Sequence, residues 1–421
     1  MPKARSSAMT TSIENYKRHK KLFGVLFLLF ILFFVIHIML PLFFSGTYSF
    51  SSVLHIAEGN EEVVEDDTPT FTATHIPTPP SVRAIYMTSW VAGTPSIREG
   101  IISLFDTTEA NAIVIDIKDD TGRISFDVYD KGLDAIGSEE IRVRDMRELI
   151  ERLHEKGVYV IGRISSFQDP YMVSHKPELA VKRVSDGAVW KDRKGISWID
   201  PGAREHRDYL VAIGLEAYAA GFDELNYDYI RFPSDGNMND ILYPFSEKNI
   251  TADPEGGKAS VIESYFQYLH ESFKDTGAVL SADLFGMTTT NSDDLNIGQV
   301  LERALPYFDY IAPMVYPSHY PPTFIGLANP AAHPYEVIDY SMEKALARID
   351  VMKASTTTPQ WVRDKIHHNQ IRPWLQDFNL GATYTADMVR AQIQATYDNG
   401  LHSWMLWDAS NTYTPGGLLP K

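Results

Sequence analysis

Two aspartates sit where short apolar runs give way to polar residues. Asp228 lies in Phe222–Pro233, FDELNYDYIRFP, and Asp283 in Ser281–Gly286, SADLFG. A carboxylate among residues that would be buried is costly unless it has a partner or a chemical task. Two such groups at the ends of neighbouring strands can divide one reaction between them. One protonates a leaving oxygen, and the other attacks the carbon or activates water, which is the chemistry of glycosidic-bond cleavage. Each also has a structural reading. Asp228 would pair with a cation such as Arg231 or Lys118 at the rim, and Asp283 would cap the turn that follows its strand.

Other residues fall at comparable places. Asp116 and Lys118 end one apolar run, on one face by period two, as sugar ligands or as an ion pair. Arg163 lies on the next run, and Glu224, Asn226 and Asp228 share a face of the one after. Trp90, Tyr316, Trp374 and Trp407 are candidate apolar platforms for sugar rings, with core packing as the competing role. Arg231, His319, Asp377 and Asp408 complete the candidate substrate-binding set. No metal or cofactor is expected: the 13 His form no H-x-x-x-H or H-E-x-x-H spacing, and the acidic pairs Asp119-Asp120 and Asp293-Asp294 lack an EF-hand pattern. A G-x-S-x-G elbow, a P-loop and a G-x-G-x-x-G turn are missing too.

The elements that must position these residues alternate from Ser81 onward. Strands are expected at Arg83–Trp90, Ala112–Lys118, Tyr159–Phe167, Phe222–Phe232, Ala278–Met287, Tyr310–Tyr316, Pro373–Phe378 and Ser403–Asp408. Helices are expected at Ile97–Glu109, Val143–Lys156, Glu205–Ala220, Ser260–Thr276, Ile297–Leu305, Tyr335–Met352 and Ala386–Asn399, several ending at a glycine (Gly157, Gly221, Gly277, Gly400) suited to a left-handed cap. Strands alternating with helices predict an α/β fold, a (β/α)8 TIM barrel over 81–421, in which residues at the C-terminal strand ends carry function. A doubly wound open sheet is the competitor. Too few residues follow the last strand for a full eighth helix.

The first eighty residues are different. Residues 1–21 are basic, with six Lys/Arg against one Glu, and end in Lys17-Arg18-His19-Lys20-Lys21. Leu22–Phe44 is a 23-residue apolar run, and about 20 apolar residues span a bilayer as a helix. The basic cluster before it places the N-terminus in the cytoplasm and the rest outside. This predicts a single-pass cell-membrane protein with an extracellular domain. Residues 45–80, acidic and then rich in Thr and Pro, read as a disordered tether. The 421-residue chain carries a formal charge of −17, which argues against nucleic acid as a partner. It has no cysteine, which excludes disulfides and thiolate metal sites.

The motifs ELNYDYIRFPSDG, SADLFGMT, DYIAPMVYPSHY, RPWLQDF and WMLWDASNTY together resemble an uncharacterised bacterial family of glycoside-hydrolase-like barrels, distantly related to α-amylase-like and α-galactosidase-like enzymes. WIDPGAREHRDYL is similar to a related group of exported glycosidase-like proteins. The resemblance spans roughly Ser81 to Tyr413 and implies a glycosidase fold. By position it implies Asp228 as nucleophile and Asp283, where many relatives carry Glu, as general acid. The function expected is cleavage of a cell-wall or capsular polysaccharide; the alternative is an inactive barrel that binds carbohydrate or serves as an envelope scaffold.

Overall fold

A computed structural model describes residues 72–421 of the protein. The expected basic tail (1–21), membrane span (22–44) and most of the acidic tether lie outside the described residues. Among the described residues, no helix is long and apolar enough to cross a membrane.

Eight parallel strands close into a barrel in sequence order: β1 (Arg83–Met87), β2 (Ala112–Lys118), β3 (Tyr159–Ser165), β4 (Glu224–Asp228), β5 (Val279–Phe285), β6 (Tyr310–Met314), β7 (Trp374–Gln376) and β8 (Trp404–Trp407). β8 returns to β1 through the pairs Arg83↔Trp404, Ala84↔Met405 and Ile85↔Leu406. The seam between β6 and β7 is thin, with Met314↔Trp374 as its one register pair. The strands read as apolar runs because helices cover them outside and side chains fill the interior. β2, AIVIDIK, is buried along its whole length.

Helices form where apolar residues recur at helical spacing. In Met146–Glu155, Met146, Leu149, Ile150 and Leu153 make the buried stripe. Arg204–Ala220 stops at Gly221, whose φ of 113° closes the last turn through bonds to Ala217 O and Tyr218 O. Most expected strands shorten by a few residues. The expected helix 97–109 is two pieces, Pro95–Ile102 and Leu104–Thr107. The expected helix 297–305 is reduced to Leu301–Ala304, because Leu295, Asn296 and Gly298 all take positive φ just before it. Short helices at Lys131–Ile136, Pro170–His175, Glu247–Ala252 and Gln360–Lys365 carry too few periodic residues to be seen in the sequence.

The residues described after β8 form no helix. Glu109 N donates to Leu419 O and Lys421 N to Thr107 O, which fastens the tail beside the entry to β2. At the opposite end of the sequence the tether departs from expectation, since residues 72–80 lie on the barrel. Ile76 N donates to Asp223 Oδ1 at 2.8 Å, Thr78 and Tyr159 share a 3.0 Å hydrogen bond, and His75 stacks on Tyr218 at 4.0 Å. The segment has no regular structure, which is why composition alone reads it as part of the tether.

Candidate active site

The inward face of β4 sets the chemistry in layers. Glu224, deepest, pairs with Arg372 at 2.8 Å, both fully buried. Asn226, one layer up, donates to Asp283 Oδ1 at 2.9 Å. Asp228 ends the strand. There the chain turns sharply: Tyr229 has φ 52°, an uncommon conformation for a non-glycine residue, and its N–H donates to Asp228 Oδ1 at 2.6 Å. The turn is held from β3, where Ser166 N donates to Asp228 O at 2.8 Å.

Arg163 on β3 is the hub. It stands in register with Asp116 on β2 and Asn226 on β4. Its Nη1 donates to Asp116 Oδ1 at 2.8 Å, its Nε to Asp228 Oδ2 at 3.1 Å, and its Nη2 also bonds Asp228 Oδ2. The same Nε lies 3.9 Å from Asp283 Oδ2. Burial opposes the guanidinium's charge, but Asp228 and Asp116 outweigh it and raise its pKa well above the ordinary arginine value. Asp116 is held on its far side by the Tyr86 hydroxyl at 2.5 Å, and burial pushes its carboxyl up.

Asp283 is 1% exposed. Its Oδ1 accepts from Asn226 and, at 2.7 Å, from the Trp374 indole. Burial raises its carboxyl well above the ordinary value, and the neighbouring Asp228 carboxylate raises it further. With Oδ1 accepting two N–H groups, Oδ2 is the oxygen turned toward Arg163. One atom of Arg163 therefore reaches both aspartates. Their facing oxygens are separated by at most the sum of the two distances to it, about 7 Å, which does not exceed the upper limit for two-carboxylate glycosidases.

These groups open onto a cavity of about 610 Å³ lined by Arg163, Asp228 and Asp283 with Arg231, Tyr316, His319 and Trp407. Trp407 stacks on Tyr86 with centroids 4.0 Å apart. Seven of the residues singled out in the sequence thus meet in one place.

The others lie elsewhere. Trp90 is in a short helix outside the cavity, 59% exposed, with the Arg142 guanidinium over its ring. Trp374 is no platform: it is buried, and its indole N–H is spent on Asp283. Lys118 does not share the face of Asp116, because the register shifts between them; its Nζ turns to Asp169 Oδ2 at 2.9 Å and Ser165 O at 2.6 Å. Arg163, and neither Lys118 nor Arg231, is the cation on Asp228. Asp116 lies behind Arg163. Asp377 and Asp408 build the turns after β8: Asp377 accepts from Thr414 N at 3.0 Å, and Asp408 from Ser410 N at 2.9 Å and Thr412 N at 3.1 Å. Burial lifts Asp377 to about 6. Sequence reasoning missed Tyr86, Tyr229, Phe285 and Phe378. Tyr86 had a signal in its period-two place near the end of β1; Phe378, just past β7, had none beyond being aromatic.

A search of curated proteins gives no match. Among solved structures, the glycoside hydrolase domain of PgaB (BpsB) from Bordetella bronchiseptica aligns over 79% of this chain and 95% of its own, with 14% identity and a TM-score of 0.55, a likeness of fold. A hypothetical protein from Ruminiclostridium thermocellum is 34% identical over 47% of this chain and 96% of its own, with a TM-score of 0.42. The α-galactosidase TtGalA from Thermus thermophilus aligns over 82% of this chain and 61% of its own, with 12% identity and a TM-score of 0.46. Residues 84–413 match the family described as "putative glycosyl hydrolase domain", and the chain belongs to that family.

Proposed function

We propose that the protein is a membrane-anchored, extracellular glycoside hydrolase that cleaves O-glycosidic bonds in a cell-wall or capsular polysaccharide with Asp228 and Asp283. The observation that carries the reading is the reach of Arg163 Nε to both carboxylates, 3.1 Å from Asp228 and 3.9 Å from Asp283, at the floor of the cavity. Family membership supports the class of reaction.

In this mechanism Asp283 is the general acid. Its raised pKa keeps the carboxyl protonated, and the proton passes to the leaving glycosidic oxygen as the C–O bond breaks. Asp228, ion-paired with Arg163 and fixed by Tyr229 N–H, attacks the anomeric carbon and forms a glycosyl ester. Asp283, now ionised, takes a proton from water, whose oxygen displaces Asp228 and restores both groups. Tyr316 and Trp407 supply apolar faces for the ring. Residues 22–44 supply the anchor, with residues 1–21 on the cytoplasmic side and the barrel outside; the apolar run and its basic flank support this placement.

The test is an assay for new reducing ends after incubating the protein with a panel of bacterial wall and capsule polysaccharides. Release by the wild type supports hydrolysis. Binding to the same polymers with no release supports a carbohydrate-binding or scaffold barrel and overturns the mechanism.

A further inference from the structure

The cavity holds a second arginine that makes no ion pair among the described residues, although Asp228, Asp235 and Asp192 act on its charge from farther off. Arg231 is 8% exposed and lines the cavity. Its Nη1 donates to Phe232 O at 3.0 Å and Ser234 Oγ at 3.3 Å. No ion pair to it is found among the described residues, and its Nε and Nη2 have no protein acceptor there. Three rings enclose the guanidinium: Trp198 and Phe285 at 4.7 Å and Tyr229 at 5.4 Å. Burial among these groups lowers its pKa from the ordinary arginine value.

Other buried cations of the barrel are treated differently. Arg163 has Asp116 and Asp228, Arg372 has Glu224, and Lys118 has Asp169. Arg207, also without an ion pair among the described residues, spends Nε, Nη1 and Nη2 on Pro201 O, Ser264 Oγ and Val261 O. A guanidinium with donors left over on a ligand cavity is open to water, and an anionic ligand adds the charge pairing that water does not. Its place is equally specific. Two of its rings come from residues close in sequence to the reacting carboxylates, Tyr229 next to Asp228 and Phe285 two residues beyond Asp283, and all of these line the same cavity.

We propose that Arg231 receives an anionic substituent of the substrate sugar, so that the polysaccharide cleaved carries acidic residues next to the scissile bond. The planar fork of an arginine matches a pair of anionic oxygens in two parallel hydrogen bonds. Such oxygens come from a uronic acid carboxylate or from a phosphate ester. A chain of net charge −17 repels a polyanion at long range. A preference for the acidic sugar therefore reports local pairing and not general ion exchange.

This inference rests on the cavity being the sugar site, and the experiment separates the two claims. Binding of oligogalacturonides, hyaluronan fragments and alginate oligomers to the full chain is measured by calorimetry, each beside its carboxyl-reduced counterpart. Glucose phosphate against glucose is the phosphate arm. The expected result is at least about ten-fold tighter binding of one acidic form than of its neutral twin. That ratio should collapse to within about two-fold in Arg231→Gln and survive in part in Arg231→Lys. Which arm shows the preference identifies carboxylate or phosphate. Equal binding of acidic and neutral forms, no binding of any acidic probe, or an undiminished preference in folded Arg231→Gln overturns the proposal. The wild-type comparison needs no variant, so it stands even if Arg231→Gln fails to fold. An acidic preference without reducing-end release overturns the hydrolase and leaves Arg231 as a sugar-acid site. Release from neutral polymers alone does the reverse.

Discussion

At the residue scale, the site is a contest between the cost of burying charge and the task that charge performs. Asp283→Asn is an informative change. Asparagine keeps an oxygen for the Asn226 and Trp374 donors and mimics the protonated acid, but it cannot deliver a proton. Turnover should fall about 10²- to 10⁴-fold, measured as kcat/KM on a released substrate, while the protein stays folded. The pH dependence has a fixed sign. The folded-state pKa of Asp283 is raised, first by burial and then by Asp228, so the native state holds this proton more tightly than the unfolded chain. Its contribution to stability is complete below the unfolded value and is lost as pH rises through the folded one. Wild-type kcat/KM should likewise fall on the alkaline side as the acid ionises. In Asp283→Asn the loss of melting temperature as pH rises above the ordinary carboxylate range should be smaller than in the wild type, as calorimetry can show. Arg163→Gln leaves Asp116 and Asp228 buried without their cation and should cost about 3–5 kcal/mol in urea denaturation. The aspartates were legible in the sequence because a carboxylate at the end of an apolar run is conspicuous. Their cation was not correctly chosen, because Arg163 acts across strands, and register between β3 and β4 is not written in either segment alone.

At the element scale, periodicity exposed all eight strands and the long helices, and it failed where backbone irregularity decides. The register shift in β2 sends Lys118 away from Asp116, and nothing in AIVIDIK announces it. The left-handed residues at 295–298 leave little room for the helix that the apolar spacing suggested. Trp90 lies past the end of β1 because the chain enters a helix at Ser89, where Thr88 caps Val91 N. One close approach is open to test. A Cβ on Gly286, just after β5, would stand 2.4 Å from Met314 O and 2.9 Å from Val315 Cα, both backbone atoms that cannot step aside cheaply. Gly286→Ala should cost about 1–3 kcal/mol in chemical denaturation. It should also lower kcat, because it pries the β5 end that carries Asp283 away from β6.

At the scale of the whole molecule, the proposed anchor, residues 22–44, can be tested apart from the barrel. Deleting residues 22–44 should move the protein from the membrane pellet to the soluble fraction on cell fractionation; retention in the pellet would remove the anchor from the account. Family and fold place the barrel among glycosyl-hydrolase-like domains, and the sequence made that architecture legible through its strand-and-helix alternation. The final turns were hidden because Asp377 and Asp408 look like site residues until the tail that they hold is seen. We propose that Asp228 and Asp283 together break a glycosidic bond. The most direct test is reducing-end release from the polysaccharide on which the wild type is most active, measured beside folded Asp228→Asn and Asp283→Asn. Loss of at least about 10²-fold in both variants is the predicted result. Near-wild-type release by either one would contradict the pairing and move the chemistry elsewhere in the cavity.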